Sequence, residues 1–221
     1  MAKQIESEVA YYYDSHPIEE DLMGEASDHA TLVSYLMTVL TWLFHEQRCA
    51  IYENLNFYQT ANKYERPLAP DIAVIKGVPF QRVKSWRIGT HGPAPHVVFE
   101  IASEETWTKD LNEKVWKYAH MGVKEYFAYD PNDPPAWRGI SGRLLGWQLD
   151  KDTQTMQRMS TGSGGHIWSP NLESFLVPDE QYLRLYDSYG HLRLTKDEAE
   201  TRRADTLAEK LRSLGIDPDK I

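Results

Sequence analysis

The sequence predicts an α/β (α+β) protein, and three observations carry that reading. Short apolar runs at 71–76, 96–102 and 123–129 have the length and the β-branched or aromatic content of buried strands. Apolar residues at three- and four-residue spacing mark helices before and between them. A charged, helix-forming run with its own capping signal makes up the last segment.

The elements follow in order. Residues 1–24 are polar and acidic and read as an arm that packs Tyr11, Tyr12 and Tyr13 on the body. Ser27 or Asp28 can cap a first helix. Leu32, Leu36, Val39, Leu40 and Leu43 then repeat on one face, which predicts helix to about Gln47. Residues 50–58 alternate apolar and polar, as a strand with one buried face does. A turn with Asn62 and Pro67 leads to the strand at 71–76, which Gly77 and Pro79 end. Gly89, Gly92, Pro93 and Pro95 mark loop up to the strand at 96–102. Ser103 and Glu104 stand where caps of the next helix belong. That helix is predicted over 108–121, with Gly122 as its C′ residue.

The strand at 123–129 stops at Asp130-Pro131, and the Pro- and Gly-rich stretch 131–140 is loop. Residues 143–149 and 154–159 form a hairpin across Asp150–Thr153. The glycine-rich Thr161–Gly165 lacks the spacing and the Lys-Ser or Lys-Thr ending of a phosphate loop, so it reads as a flexible joint. Thr195-Lys196-Asp197-Glu198 is a capping box. The helix it opens carries Leu207, Leu211 and Leu214 on one side and is ended by Gly215. It packs on its own body or on a second copy in a homodimer. The chain thus divides into an arm (1–24), a domain (25–190) and a C-terminal helical segment (191–221).

Composition limits the function. A chain of 221 residues holds one sizeable core with appendages. With 24 basic and 33 acidic residues the net charge is −9, which argues against a general nucleic-acid-coating protein. The single cysteine, Cys49, excludes an intramolecular disulfide framework and a cysteine-based zinc site, and reads as a small packed hydrophobe. One free thiol fits a reducing, cytoplasmic setting. No basic-then-apolar signal peptide is visible, and the apolar stretch 32–44 is too short and interrupted to span a membrane.

The charge is uneven. Residues 1–30 carry −7. Residues 72–99 contain no acid and four bases, Lys76, Arg82, Lys84 and Arg87. That segment reads either as a solvated basic loop or as a nucleic-acid-binding loop. Trp86, between Lys84 and Arg87, either stacks on a base or packs in the core.

Three residues interrupt this pattern in a way that suggests chemistry. Asp71 opens a buried strand after Pro70, and Glu100 lies inside the next one between Phe99 and Ile101. Carboxylates in such runs are costly unless paired or metal-bound. On the following helix, Leu111, Val115 and Tyr118 form the inward stripe. Lys114 falls roughly 60° from Leu111, at its edge, and can reach back to the sheet. Adjacent strands would set Asp71 beside Glu100. Two such carboxylates invite a hard, hydrated cation such as Mg2+. A cation, two carboxylates and a lysine are the working parts for hydrolysing a phosphodiester. Each taken alone also reads as a structural ion pair.

These residues carry a resemblance. Pro70-Asp71, Glu100-Ile-Ala-Ser103, Asp110-Leu-Asn-Glu-Lys114 and the run from Tyr118 to Pro131 resemble the Uma-two family of restriction endonucleases, within the PD-(D/E)xK nuclease superfamily. Gly24-Glu25-Ala-Ser-Asp-His29 is similar to the family's start, and Leu207 to Pro218 to its helical tail. The resemblance implies a restriction-endonuclease-like core, a mixed β-sheet flanked by helices, with Asp71 and Glu100 as metal ligands. The superfamily pattern places its lysine two residues after the acid, where this chain has Ala102. The resemblance implies that Lys114 replaces it.

The expected function is therefore a metal-dependent DNA endonuclease using Mg2+, with Mn2+ as a substitute. Asp71, Glu100 and Lys114 are its catalytic residues, and Glu25 and His29 are accessory candidates. The alternatives are a catalytically inactive nuclease-fold module that binds nucleic acid and a protein-interaction role for the C-terminal helix.

Overall fold

A computed structural model describes residues 10–16, 27–102, 107–137, 139–140 and 142–218. Its helix α1 (Ser27–Leu43) is followed by strands β1 (Cys49–Glu53), β2 (Phe57–Tyr58), β3 (Ile72–Lys76), β4 (Trp86–Arg87) and β5 (Val97–Ile101). Helices α2 (Trp107–Leu111) and α3 (Glu113–Met121) lead to β6 (Glu125–Tyr129), β7 (Leu144–Leu149) and β8 (Met156–Arg158). Then come β9 (Ile167–Ser169), β10 (Ser174–Asp179), β11 (Tyr182–Tyr186) and α4 (Lys196–Ser213).

Among the described residues the main sheet has the order β1-β3-β5-β6-β7-β8. It is mixed: β5 and β6 run parallel, joined through α2 and α3, and the other neighbours are antiparallel. A parallel pair needs such a crossover, which places helices on a sheet face. Strand alternation sends Ile72, Val74, Val97 and Phe99 to one face, where they meet Leu32, Leu36 and Leu40 of α1 and Leu176, Leu183 and Leu185 of β10 and β11. It sends Ala73, Ile75 and Val98 to the other, where they meet Tyr118, Met121, Phe57 and Trp86.

The predicted strands at 71–76, 96–102 and 123–129 and the hairpin across Asp150–Thr153 are present. Four expectations are corrected. The first helix stops at Leu43, short of Gln47. The predicted strand 50–58 is divided at Asn54, whose φ of 49° is left-handed, a conformation asparagine tolerates. Its first part is buried on both faces rather than one, because Trp86 and the 78–83 loop cover Ala50 and Tyr52. The predicted helix 108–121 is broken at Asn112. There the side-chain amide donates to the Thr108 carbonyl at 2.8 Å and the backbone leaves helical geometry.

Segment 166–190, where no element was predicted, forms β9, β10 and β11, and β4 is a two-residue parallel partner of β2. The stretch 161–165 is a tight hydrogen-bonded turn leading into β9. Tyr11 does pack on the body: it stacks on Tyr58 at 3.6 Å and donates to the Thr60 carbonyl. The capping box at Thr195 and Glu198 is formed in both directions. Along α4, Leu207 and Leu214 are exposed. Cys49 is a free thiol packed against the first core cluster, and burial pushes it up to about 11. No helix among the described residues is long and apolar enough to cross a membrane.

Candidate active site

The register of two antiparallel strands builds the site. Ile72 pairs with Phe99 and Ala73 with Val98. Asp71 immediately precedes Ile72 and Glu100 immediately follows Phe99, so the two carboxylates flank the end of this pairing. Alternation puts Glu100 in the row of Val98, which faces α3.

Asp71 is held from two sides. Its Oδ2 accepts the Ile101 backbone N–H at 2.6 Å and lies 3.2 Å from Nε2 of His29, which comes from the first turn of α1. Its Oδ1 makes no hydrogen bond among the described residues.

Glu100 is buried, 3% exposed. Its Oε1 accepts the Tyr118 hydroxyl, and its Oε2 lies 2.9 Å from Nζ of Lys114. The same Nζ is 2.8 Å from Oδ1 of Asp110, which is 1% exposed. The Asp110 backbone carbonyl is fixed in turn by the Tyr126 hydroxyl at 2.9 Å. The break at Asn112 lies between Asp110 and Lys114. Their i,i+4 pair therefore joins two short helices rather than two turns of one.

Among the described residues the Lys114 ammonium touches two of the three carboxylates, Glu100 and Asp110. Burial pushes Glu100 up to about 7. The Lys114 ammonium opposes this shift, and Asp71 and Asp110 add to it. For Lys114, burial pulls downward, but Glu100 and Asp110 outweigh it and hold the ammonium above the ordinary lysine value. Lys114 is therefore a charged donor at neutral pH and not a general base. Tyr118 is raised well above the usual phenol value by burial and by Glu100, so it stays a hydroxyl donor.

Among the described residues no three or more His, Cys, Asp or Glu side chains gather as a metal cage. Two carboxylates at the end of the β3–β5 pairing are nevertheless a donor set that suits Mg2+, which keeps most of its waters. A zinc site would need more nitrogen or sulfur ligands.

The structure brings Asp71, Glu100, Lys114 and His29 together. Glu25, Ser103 and Glu104 lie outside the described residues. The basic segment lies differently from the carboxylates. Lys76 ends β3, at the end opposite Asp71, where its Nζ donates to the Asn171 carbonyl at 2.9 Å and lies over the Phe44 ring. Arg82 and Lys84 are exposed in the loop before β4, and Arg87 sits in β4 paired with Tyr58. Trp86 is fully buried with its indole N–H on the Pro93 carbonyl, so it packs and cannot stack on a base. Sequence reasoning did not single out Asp110 or Tyr118 as site residues. Their signal was spacing: each stands four residues from Lys114.

Residues 2–142 match the model of the Uma2 family, described as "Putative restriction endonuclease". No curated protein matches. Among solved structures, one from Anabaena variabilis, described as "a putative nuclease belonging to DUF820", aligns at 12% identity with a TM-score of 0.49. The alignment covers 68% of this chain and 76% of that one.

Proposed function

The chain belongs to the Uma2 family, and from that premise we propose that it is a magnesium-dependent DNA endonuclease with Asp71, Glu100 and Lys114 as its working groups. One observation carries the reading. Lys114 reaches Glu100 from α3, and Glu100 follows Phe99, the strand partner of the residue next to Asp71. Lys114 thereby supplies a cation beside the carboxylates although position 102 is alanine.

Asp71 and Glu100 are the residues that would hold the cation, and Mn2+ accepts the same oxygen ligands. Bound there, a divalent cation polarises a phosphoryl oxygen and lowers the pKa of a coordinated water. The chain's own groups do the rest. The Ile101 N–H and His29 orient Asp71, and Tyr118 orients Glu100. Lys114 donates a charged hydrogen bond to the attacking water and to the phosphoryl oxygen where charge develops in the transition state. Arg82 and Lys84, both exposed, are the proposed contacts to flanking phosphates, with Arg87 beside them.

The test is nicking of supercoiled plasmid by the purified protein with Mg2+ or Mn2+. Wild type is expected to convert the plasmid and Asp71→Ala to leave it intact. Equal behaviour of the two proteins would remove the catalytic assignment.

A further inference from the structure

The charge arrangement around Lys114 has a consequence for how a cation could enter. Its ammonium touches Glu100 Oε2 at 2.9 Å, on one of the two carboxylates proposed to hold the cation. A divalent ion arriving at Glu100 therefore meets a positive charge already seated there. Moving that charge into water or against apolar surface would be costly, since a partly buried ammonium needs a partner. Asp110 provides one. Its carboxylate lies 2.8 Å from the same Nζ and is itself 1% exposed, with its backbone pinned by Tyr126 from β6.

We infer that Asp110 is a positioning residue that receives the Lys114 ammonium when a divalent cation displaces it from Glu100. The inference rests on the proposed role of Asp71 and Glu100. Without a cation, Lys114 bridges Glu100 and Asp110 and balances part of their charge. With a cation at Asp71 and Glu100, Lys114 keeps Asp110 as its counter-charge and stays beside the site. No bond forms or breaks in this exchange; one ion pair is replaced by another. Asp110 lies on α2 and Lys114 on α3, so Lys114 lies between a sheet carboxylate and a helix carboxylate.

Asp110 could also act by its charge alone, attracting any cation nearby, and a double substitution separates the two effects. Mg2+ alone is titrated calorimetrically into wild type, Asp110→Asn and Asp110→Asn/Lys114→Met, each checked for folding by circular dichroism. Loss of such a supporting partner typically weakens metal binding by about tenfold or more, and that loss is expected for Asp110→Asn. Removing Lys114 as well abolishes the competition, so the double variant is expected within about threefold of wild type.

A double variant as weak as Asp110→Asn, or weaker, would show that Asp110 acts by its own charge and would overturn the inference. So would an unchanged Asp110→Asn. If Asp110→Asn alone does not fold, Asp110→Ser and Asp110→Ser/Lys114→Met take the places of the two variants and are read by the same threefold and tenfold limits. Absence of Mg2+ binding in wild type would instead overturn the metal reading itself, and this inference with it.

Discussion

Nζ of Lys114 lies 2.9 Å from Glu100 Oε2, so a side chain of α3 closes an ion pair with a carboxylate buried in the central strand β5. The second partner, Asp110, is equally buried. Removing Lys114 takes the ammonium away from two buried carboxylates. Lys114→Ala is expected to lower the unfolding free energy by about 3 kcal/mol or more in urea titrations at pH 8 without added metal. A loss below about 1 kcal/mol would mean that the pair is solvated.

Glu100 gives a pH signature. Its carboxyl is raised from 4.5 to about 7, chiefly by burial, so the folded protein binds that proton more tightly than the unfolded chain. The stability this contributes is full below 4.5 and is lost as pH rises through 7. Glu100→Gln has no such loss. Its stability relative to wild type is expected to rise between those limits by on the order of 3 kcal/mol, read as the difference between the two proteins' melting profiles. A flat difference profile would refute the shift.

His96 works in the opposite direction. Burial lowers it from 6.5 to about 4, with Lys124 and Lys76 adding to the shift, and its Nδ1 accepts the Lys76 backbone N–H at 3.2 Å. The unfolded chain therefore takes up the proton first. Stability from this residue is full above 6.5 and is lost as pH falls towards 4. Allowing for its half-exposed position, the contribution is roughly 1 kcal/mol. His96→Gln is expected to flatten the acid limb of the melting profile by that amount.

Residues 10–16 are held on the body by Tyr11 and by Asp14, whose Oδ1 accepts from the Tyr58 hydroxyl at 2.9 Å and the Asn56 amide at 3.0 Å. Tyr11 is buried, stacked on Tyr58 and hydrogen-bonded to Thr60. Tyr11→Ala is expected to cost about 3 kcal/mol of stability in urea unfolding. Unchanged stability would mean that the arm does not hold this place in solution.

Much of the site was legible in the sequence because burial of charge is visible there. Glu100 interrupts the run Val97–Ile101, and Asp71 opens the run that pairs with it. Lys114 was legible from helical geometry, since Leu111, Val115 and Tyr118 do face the sheet. Asp110 was not. Its i,i+4 spacing to Lys114 was the available signal, and an apolar stripe alone does not carry it. The basic run 76–87 misled in part for a similar reason. Charge density along the chain says nothing about which end of a strand a residue occupies, and Lys76 lies at the far end of β3 from Asp71. The pairing of β2 with β4 rests on two residues in each strand and on a buried tryptophan, all of it tertiary context.

In the proposed site Asp71 and Glu100 share one divalent cation. A crystal soaked in Mn2+ and measured at the manganese absorption edge tests it most directly. A single strong anomalous peak is expected between the two carboxylates, with Lys114 drawn towards Asp110. A protein that nicks DNA with Mn2+ and yet shows no peak there, or shows it elsewhere on the molecule, would contradict it.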